Sequence, residues 1–133
     1  MPETQLRCVV VTPEETVLDQ EAEFIALPLF DGELGVALGH SPMIGRLGFG
    51  ELRLRSAGGS KRYYVDGGFA QVADNVVSVL TNQAIPATDI DKPAAEEKLR
   101  SAAAVKAAGP EELAIKERTV SRARAQLRVA TKA

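Results

Sequence analysis

Asp31-Gly32-Glu33-Leu34-Gly35-Val36-Ala37-Leu38-Gly39-His40-Ser41-Pro42-Met43 places three glycines within eight residues and carries the only histidine of the chain. Gly32, Gly35 and Gly39 are interspersed with Leu34, Val36 and Leu38. This reads as a short strand pair whose turns need positive φ or close backbone approach, conformations open to glycine. Pro42 stops further pairing, so His40-Ser41-Pro42 is expected at an exposed loop tip.

On both sides of this centre the chain reads as strand. Residues 6–11 form a first strand, closed by the turn-like Thr12-Pro13-Glu14-Glu15. A short second strand is expected over 16–19, and a third over 22–29 with apolar groups on both faces. After the centre, Glu51-Leu52-Arg53-Leu54-Arg55 alternates wet and dry. Ala57-Gly58-Gly59-Ser60 is a hairpin turn, residues 61–65 return, and Asp66-Gly67-Gly68 makes a corner before 69–72. Ala73-Asp74-Asn75 turns again into a strand over 76–80. Short strands with a turn signal about every ten residues describe an antiparallel sandwich or barrel.

The composition changes after Pro86. Asp91 is placed to cap a helix with Pro93 in its first turn, and the alanine-rich tract 102–108 continues it. Gly109-Pro110 stops that helix, and Glu111-Glu112 opens a second one running to about Val129. Leu113, Val120 and Leu127 recur every seven residues, with Ala123 and Ala130 between them, facing Ala95, Leu99, Ala102 and Ala103. The fold class is therefore α+β: an N-terminal antiparallel β-sandwich over 1–87, then a C-terminal antiparallel α-helical hairpin over 88–133. Each buried alanine removes little apolar area, so the hairpin is expected to be loosely held and able to move.

A net charge of −2 over 133 residues argues against a nucleic-acid binder. The two parts differ, however. Residues 1–89 carry twelve acids against six Lys/Arg, and 90–133 carry six against ten, so −6 stands against +4. No acid follows Arg118, and Arg118, Arg122, Arg124, Arg128 and Lys132 form a basic stripe. The i, i+4 pairs Arg118–Arg122 and Arg124–Arg128 repel by a few tenths of a kcal/mol each, which suits an acidic partner. Cys8, the single cysteine, sits beside Val9-Val10-Val11 and is expected as an inert buried thiol.

No catalytic constellation emerges. His40 neighbours Ser41, but adjacent residues in a turn usually point apart, and no third group orients them. One histidine and one cysteine are too few for a metal site. The 32–39 glycines lack the Gly-Lys-Ser/Thr ending of a phosphate loop. The residues point to a binding or coupling protein that needs no cofactor and is not an enzyme by itself.

Thr12-Pro13-Glu14, the Gly32-Glu33-Leu34-Gly35-Val36 block leading to Gly39-His40-Ser41-Pro42, Val65-Asp66-Gly67-Gly68-Phe69, Asn75-Val76-Val77-Ser78-Val79-Leu80 and Ala125-Gln126-Leu127-Arg128-Val129 together resemble the ε subunit of bacterial F-type ATP synthase, equivalent to mitochondrial δ. The resemblance runs over nearly the whole chain in order and spacing. It implies a non-catalytic rotor subunit in the central stalk of a proton-translocating synthase, with a sandwich that packs on the γ subunit and the c-ring. Glu33, Gly39, His40, Ser41 and Pro42 match ring-facing positions. It also implies a hairpin that lies folded on the sandwich or extends toward the α and β subunits and inhibits ATP hydrolysis, with Arg118, Arg122, Arg124 and Arg128 as the contact. Some relatives bind ATP through Ile/Leu-Asp-x-x-Arg-Ala and basic residues of the second helix. Here Ile90-Asp91-Lys92-Pro93-Ala94-Ala95 keeps Asp91 but has Ala94 for the arginine, and Arg122 is kept while Gln126 replaces a second arginine. Loss of two charge-assisted contacts at roughly 1.5–3 kcal/mol each implies an inactive ATP site.

No apolar run approaches the ~18 residues of a membrane span. The expected location is the cytoplasmic face of a bacterial membrane, reached only through the complex. The alternative from another class is a free-standing β-sandwich binding module with a helical dimerisation hairpin. An esterase on Ser41 and His40 ranks below both.

Overall fold

The structure, a computed structural model, describes residues 5–131, apart from the side chain of Thr131. The strands are β1 Leu6–Val11, β2 Thr16–Ala22, β3 Phe24–Leu29, β4 Gly32–Val36, β5 Met43–Ser56, β6 Gly59–Ala73, β7 Val76–Leu80 and β8 Ala84–Pro86. A short 3-10 turn, Ala87–Asp89, leads into helices α1 Lys92–Ala104 and α2 Pro110–Thr131. The expected sandwich followed by a helical hairpin is what the chain forms. Lys132 lies outside the described residues.

The long ribbon of β5 and β6 belongs to both layers. Its second part, 50–55 against 60–65, lies beside β3 and β4 on one side and β8 on the other. Its first part, 43–47 against 68–72, continues through β7 to β1 and β2. The alternation changes phase where the ribbon crosses: Leu47 faces the core, and so do Leu52 and Leu54, with Gly48-Phe49-Gly50 between. On β6, Val65 faces in, and after the crossing Ala70 and Val72 do. Inner rows of the two layers meet in one core. Leu6, Val10, Val77 and Val79 come from one and Ile25, Leu27, Leu52 and Leu54 from the other, none more than 1% exposed. Burial of such side chains contributes roughly 1.5–3 kcal/mol each.

Several expectations need correction. Asp66-Gly67-Gly68 is not a corner; β6 runs through it in unbroken register with β5. Glycine is required at 68 because φ is +104 and a Cβ would run into the Leu80 carbonyl. The sandwich is not wholly antiparallel, since β1 pairs with β7 in parallel. The second strand extends to Ala22, drawn out by its ladder with β1. By contrast Asp74-Asn75, both at positive φ (52 and 63), form the expected tight turn between β6 and β7.

In the hairpin, Asp91 caps α1 as expected, its side chain accepting from Ala94 N at 3.0 Å. α1 stops at Ala104, short of the whole 102–108 tract. Lys116 Nζ donates to the Val105 carbonyl at 2.6 Å and Glu112 Oε2 accepts from the Ala108 N–H at 2.8 Å, satisfying backbone groups that have no helical partner there. The Leu113, Val120, Leu127 heptad is not the buried seam: Leu113 is 45% exposed and Ala103 is exposed. Of the expected seam, Ala95, Ala102 and Ala123 are buried, and Ala125 and Val129, outside it, are buried against the sheet. α2 has to serve two neighbours, α1 and the sandwich, and a single seven-residue seam serves only one.

Candidate functional site

The ribbon carries three cross-strand rows on its outer face, away from the sandwich core: Phe49 with Asp66, Glu51 with Tyr64, and Arg53 with Arg62. α2 lies along these rows. At the first, Arg122 stands over the Phe49 ring at 5.1 Å, and its Nε is 3.0 Å from Asp66 Oδ1. Its buried N–H does not point along that line, so the attraction is coulombic rather than a hydrogen bond. Tyr64 donates its hydroxyl to the same Asp66 oxygen at 2.8 Å. At the middle row Tyr64, fully buried, packs with Ala125 and Val129, and Phe49, Ile85, Ala87 and Ile90 ring this small apolar cluster. Burial above all, and then the Asp66 carboxylate, push the Tyr64 phenol well above its ordinary pKa, so it stays a donor. At the last row Arg62 donates to the Val129 carbonyl at 2.7 Å and to Glu51. A cationic group on C-terminal carbonyls also suits the helix dipole.

The dock is therefore one small apolar cluster between two polar latches, with side chains that alanine spacing alone does not reveal. Polar β6 residues on a half-covered strand, Arg62, Tyr64 and Asp66 at period two, were the available signal.

Of the expected partner-contact arginines, Arg122 is drawn into this dock. Arg118, Arg124 and Arg128 are exposed. The four arginines are thus split between the covered and the exposed sides of α2. The ATP-site candidates are also separate. Arg122, Asp66, Gln83, Lys98 and Gln126 border a cleft of about 510 Å³ that Asp91 does not line, and the Asp91 carboxylate is engaged as the α1 cap.

Glu33 lies on edge strand β4, with its carboxylate 3.3 Å from Arg53 Nη2. Gly39, His40, Ser41 and Pro42 form the following loop, where Gly39 takes φ +80 and its N–H donates to Asn75 Oδ1 at 2.8 Å. His40 is half-buried; its Nδ1 donates to the Ser41 carbonyl at 2.7 Å, so the imidazole is not paired with the Ser41 hydroxyl. The esterase arrangement is not formed. Among the described residues no group of three or more His, Cys, Asp or Glu is placed to hold a metal, and no helix is long and apolar enough to cross a membrane.

A further surface went unnoticed in the sequence. On the outer face of the other layer, Phe69 pairs across the ladder with Arg46 and with Leu80, and Ile44 lies on the same face of β5 as Arg46. Phe30 joins them beneath Arg46, its ring 5.6 Å from the guanidinium. Ile44 is 73% exposed, Phe30 65%, Phe69 58% and Leu80 55%, an apolar face left bare where the hairpin covers the opposite one.

The family described as ATP synthase, Delta/Epsilon chain, beta-sandwich domain matches residues 5–87. An ATP synthase epsilon chain of Rhodopirellula baltica is 58% identical over 123 residues, covering 92% of this chain and 96% of that one. The sodium ion specific epsilon chain of Propionigenium modestum is 31% identical, with 91% and 90% covered. A chain of the Euglena gracilis mitochondrial ATP synthase, in an OSCP/F1/c-ring assembly, superposes with a TM-score of 0.87 at 26% identity, over 99% of this chain and 84% of that chain.

Proposed function

Since the chain belongs to the ATP synthase Delta/Epsilon family, as an epsilon-type subunit of the central stalk, we infer that its sandwich is the grip and its hairpin the switch of a rotary ATP synthase. The observation that carries this reading is the division of labour between the two outer faces. One is bare and apolar through Phe30, Ile44, Phe69 and Leu80, and the other is covered by a helix through a small, partly polar contact. The bare face suits permanent burial against a partner helix of the stalk, which is the part assigned to γ. The loop of Gly39, His40, Ser41 and Pro42, with Glu33 on the strand before it, is assigned to the c-ring. The hairpin, released from its dock, turns Arg118, Arg122, Arg124 and Arg128 toward acidic segments of the α and β subunits and slows ATP hydrolysis. The subunit itself does no chemistry and takes no cofactor. It sits on the cytoplasmic face of the membrane through the complex.

The test is co-purification. Ile44→Asp with Phe69→Asp replaces two exposed residues, so the sheet still folds, and binding to the γ subunit is expected to be lost. A doubly substituted chain that still co-purifies with γ at full yield contradicts the assignment.

A further inference from the structure

Arg53 on β5 and Arg62 on β6 are direct partners across the ladder, so two guanidinium groups share one patch of the docking face. Facing like charges destabilise a sheet pair unless a counter-charge stands between them. Glu51 does so. Its Oε1 accepts from Arg53 Nη1 at 3.3 Å, and its Oε2 accepts from Arg62 Nε at 3.0 Å and Nη2 at 2.8 Å. Each arginine also has an acceptor further out: Arg62 Nη2 donates to the Val129 carbonyl of α2 at 2.7 Å, and Arg53 Nη2 to Glu33 Oε1 on β4 at 3.3 Å. An unbroken line of charge-assisted contacts thus runs from the edge strand to the end of the hairpin. The Glu51 side chain is 11% exposed and Arg62 19%, against 58% for Glu33, so the line is most sheltered from salt near the helix.

We propose that this line couples the state of Glu33 to the docking of α2, so that a cationic or hydrogen-bond-donating partner group engaging the Glu33 carboxylate loosens the hairpin. With Glu33 taken away, Arg53 has one carboxylate left and turns fully onto Glu51, in competition with Arg62. Arg62 then loses the group that aims it at Val129, and the repulsion between the two arginines is less well offset. The two sites are the β4 edge and the dock, the two states are hairpin docked and released, and the Arg62–Val129 bond exists in only one of them. The coupling rests on the contacts alone; its use as a signal rests on the hairpin being the switch.

Hydrogen exchange on the full chain tests it, because α2 once released is held only by its own helical bonds, opens far more readily than when docked, and so exchanges in proportion to the released population. Glu33→Gln is exposed and conservative. It is expected to speed exchange of the α2 amides over 122–129 about threefold, as suits an exposed ion pair, with the β1 and β7 amides unchanged as internal standard. In an Arg62→Gln or an Arg53→Gln background the same substitution is expected to have no effect. Unchanged or slower α2 exchange in Glu33→Gln, or the same acceleration in both backgrounds, overturns the coupling. No ATPase rate enters this measurement, so its failure is distinct from failure of the hairpin as an inhibitor.

Discussion

Arg122 of α2 and Asp66 of β6 form the ion pair at one end of the dock, 3.0 Å apart, with the Arg122 guanidinium lying over Phe49 at the same time. Asp66 is the sheltered partner, its side chain 10% exposed, and Tyr64 shares its oxygen. Removing the cation leaves a nearly buried carboxylate with fewer partners. Arg122→Gln therefore destabilises docking by about 1–2 kcal/mol, roughly tenfold in the docked-to-released ratio. Limited proteolysis checks this: cleavage in α2 is expected to quicken while the sandwich stays resistant. Equal rates for the two chains contradict it.

Nucleotide binding is expected to be absent. Arg122 is engaged by Asp66 and Phe49, Asp91 by the start of α1, and Ala94 and Gln126 offer no charge to a phosphate. Titration calorimetry of the full chain with ATP is expected to give no binding heat up to the millimolar range. A saturable micromolar or millimolar isotherm contradicts this.

Cys8 lies fully buried on β1, and that burial, with the Asp19 carboxylate as a smaller cause, pushes its thiol up to about 12. At pH 8 the thiolate is about one part in ten thousand, so labelling by a thiol reagent should follow global unfolding. The folded thiol keeps its proton to higher pH than the unfolded one, whose pKa is near 9.0. Stability is therefore whole below about pH 9 and falls as the pH rises toward 12. Rapid labelling of the native chain at pH 8 contradicts this.

The sandwich was legible in the sequence because Glu51 to Arg55 alternates cleanly, 6–11 and 76–80 are apolar-rich runs, and Asp74-Asn75 carries a strong turn signal. β5 and β6 look like broken pieces in the sequence because their inward faces change phase at the crossing. Glycines that look like a corner, Gly67 and Gly68, are in fact where a continuous strand passes between layers. The helices were legible from Asp91, Gly109 and Pro110, and their buried faces in part: Ala95, Ala102 and Ala123 are buried as expected. Leu113 looked like a core residue by spacing and is exposed, whereas Ala125 and Val129 gain their burial from Tyr64 on a distant strand. The loop of Gly39 to Pro42 appears at a turn as expected, with Ser41 and Pro42 exposed but His40 half-buried. The bare face of Phe30, Ile44, Phe69 and Leu80 depends on which strands become neighbours, and spacing along one strand does not supply that.

The central claim is that a self-sufficient sandwich grips the stalk while a separately held hairpin restrains ATP hydrolysis. Among the described residues the sandwich core contains no side chain from either helix, so a chain ending at Asp89 is expected to fold and to assemble. The most direct test is the ATPase rate of the complex assembled with that shortened chain. The rate is expected to rise above that of the complex with the full chain, at equal assembly yield. A rate that stays the same, or a complex that no longer assembles, contradicts the account.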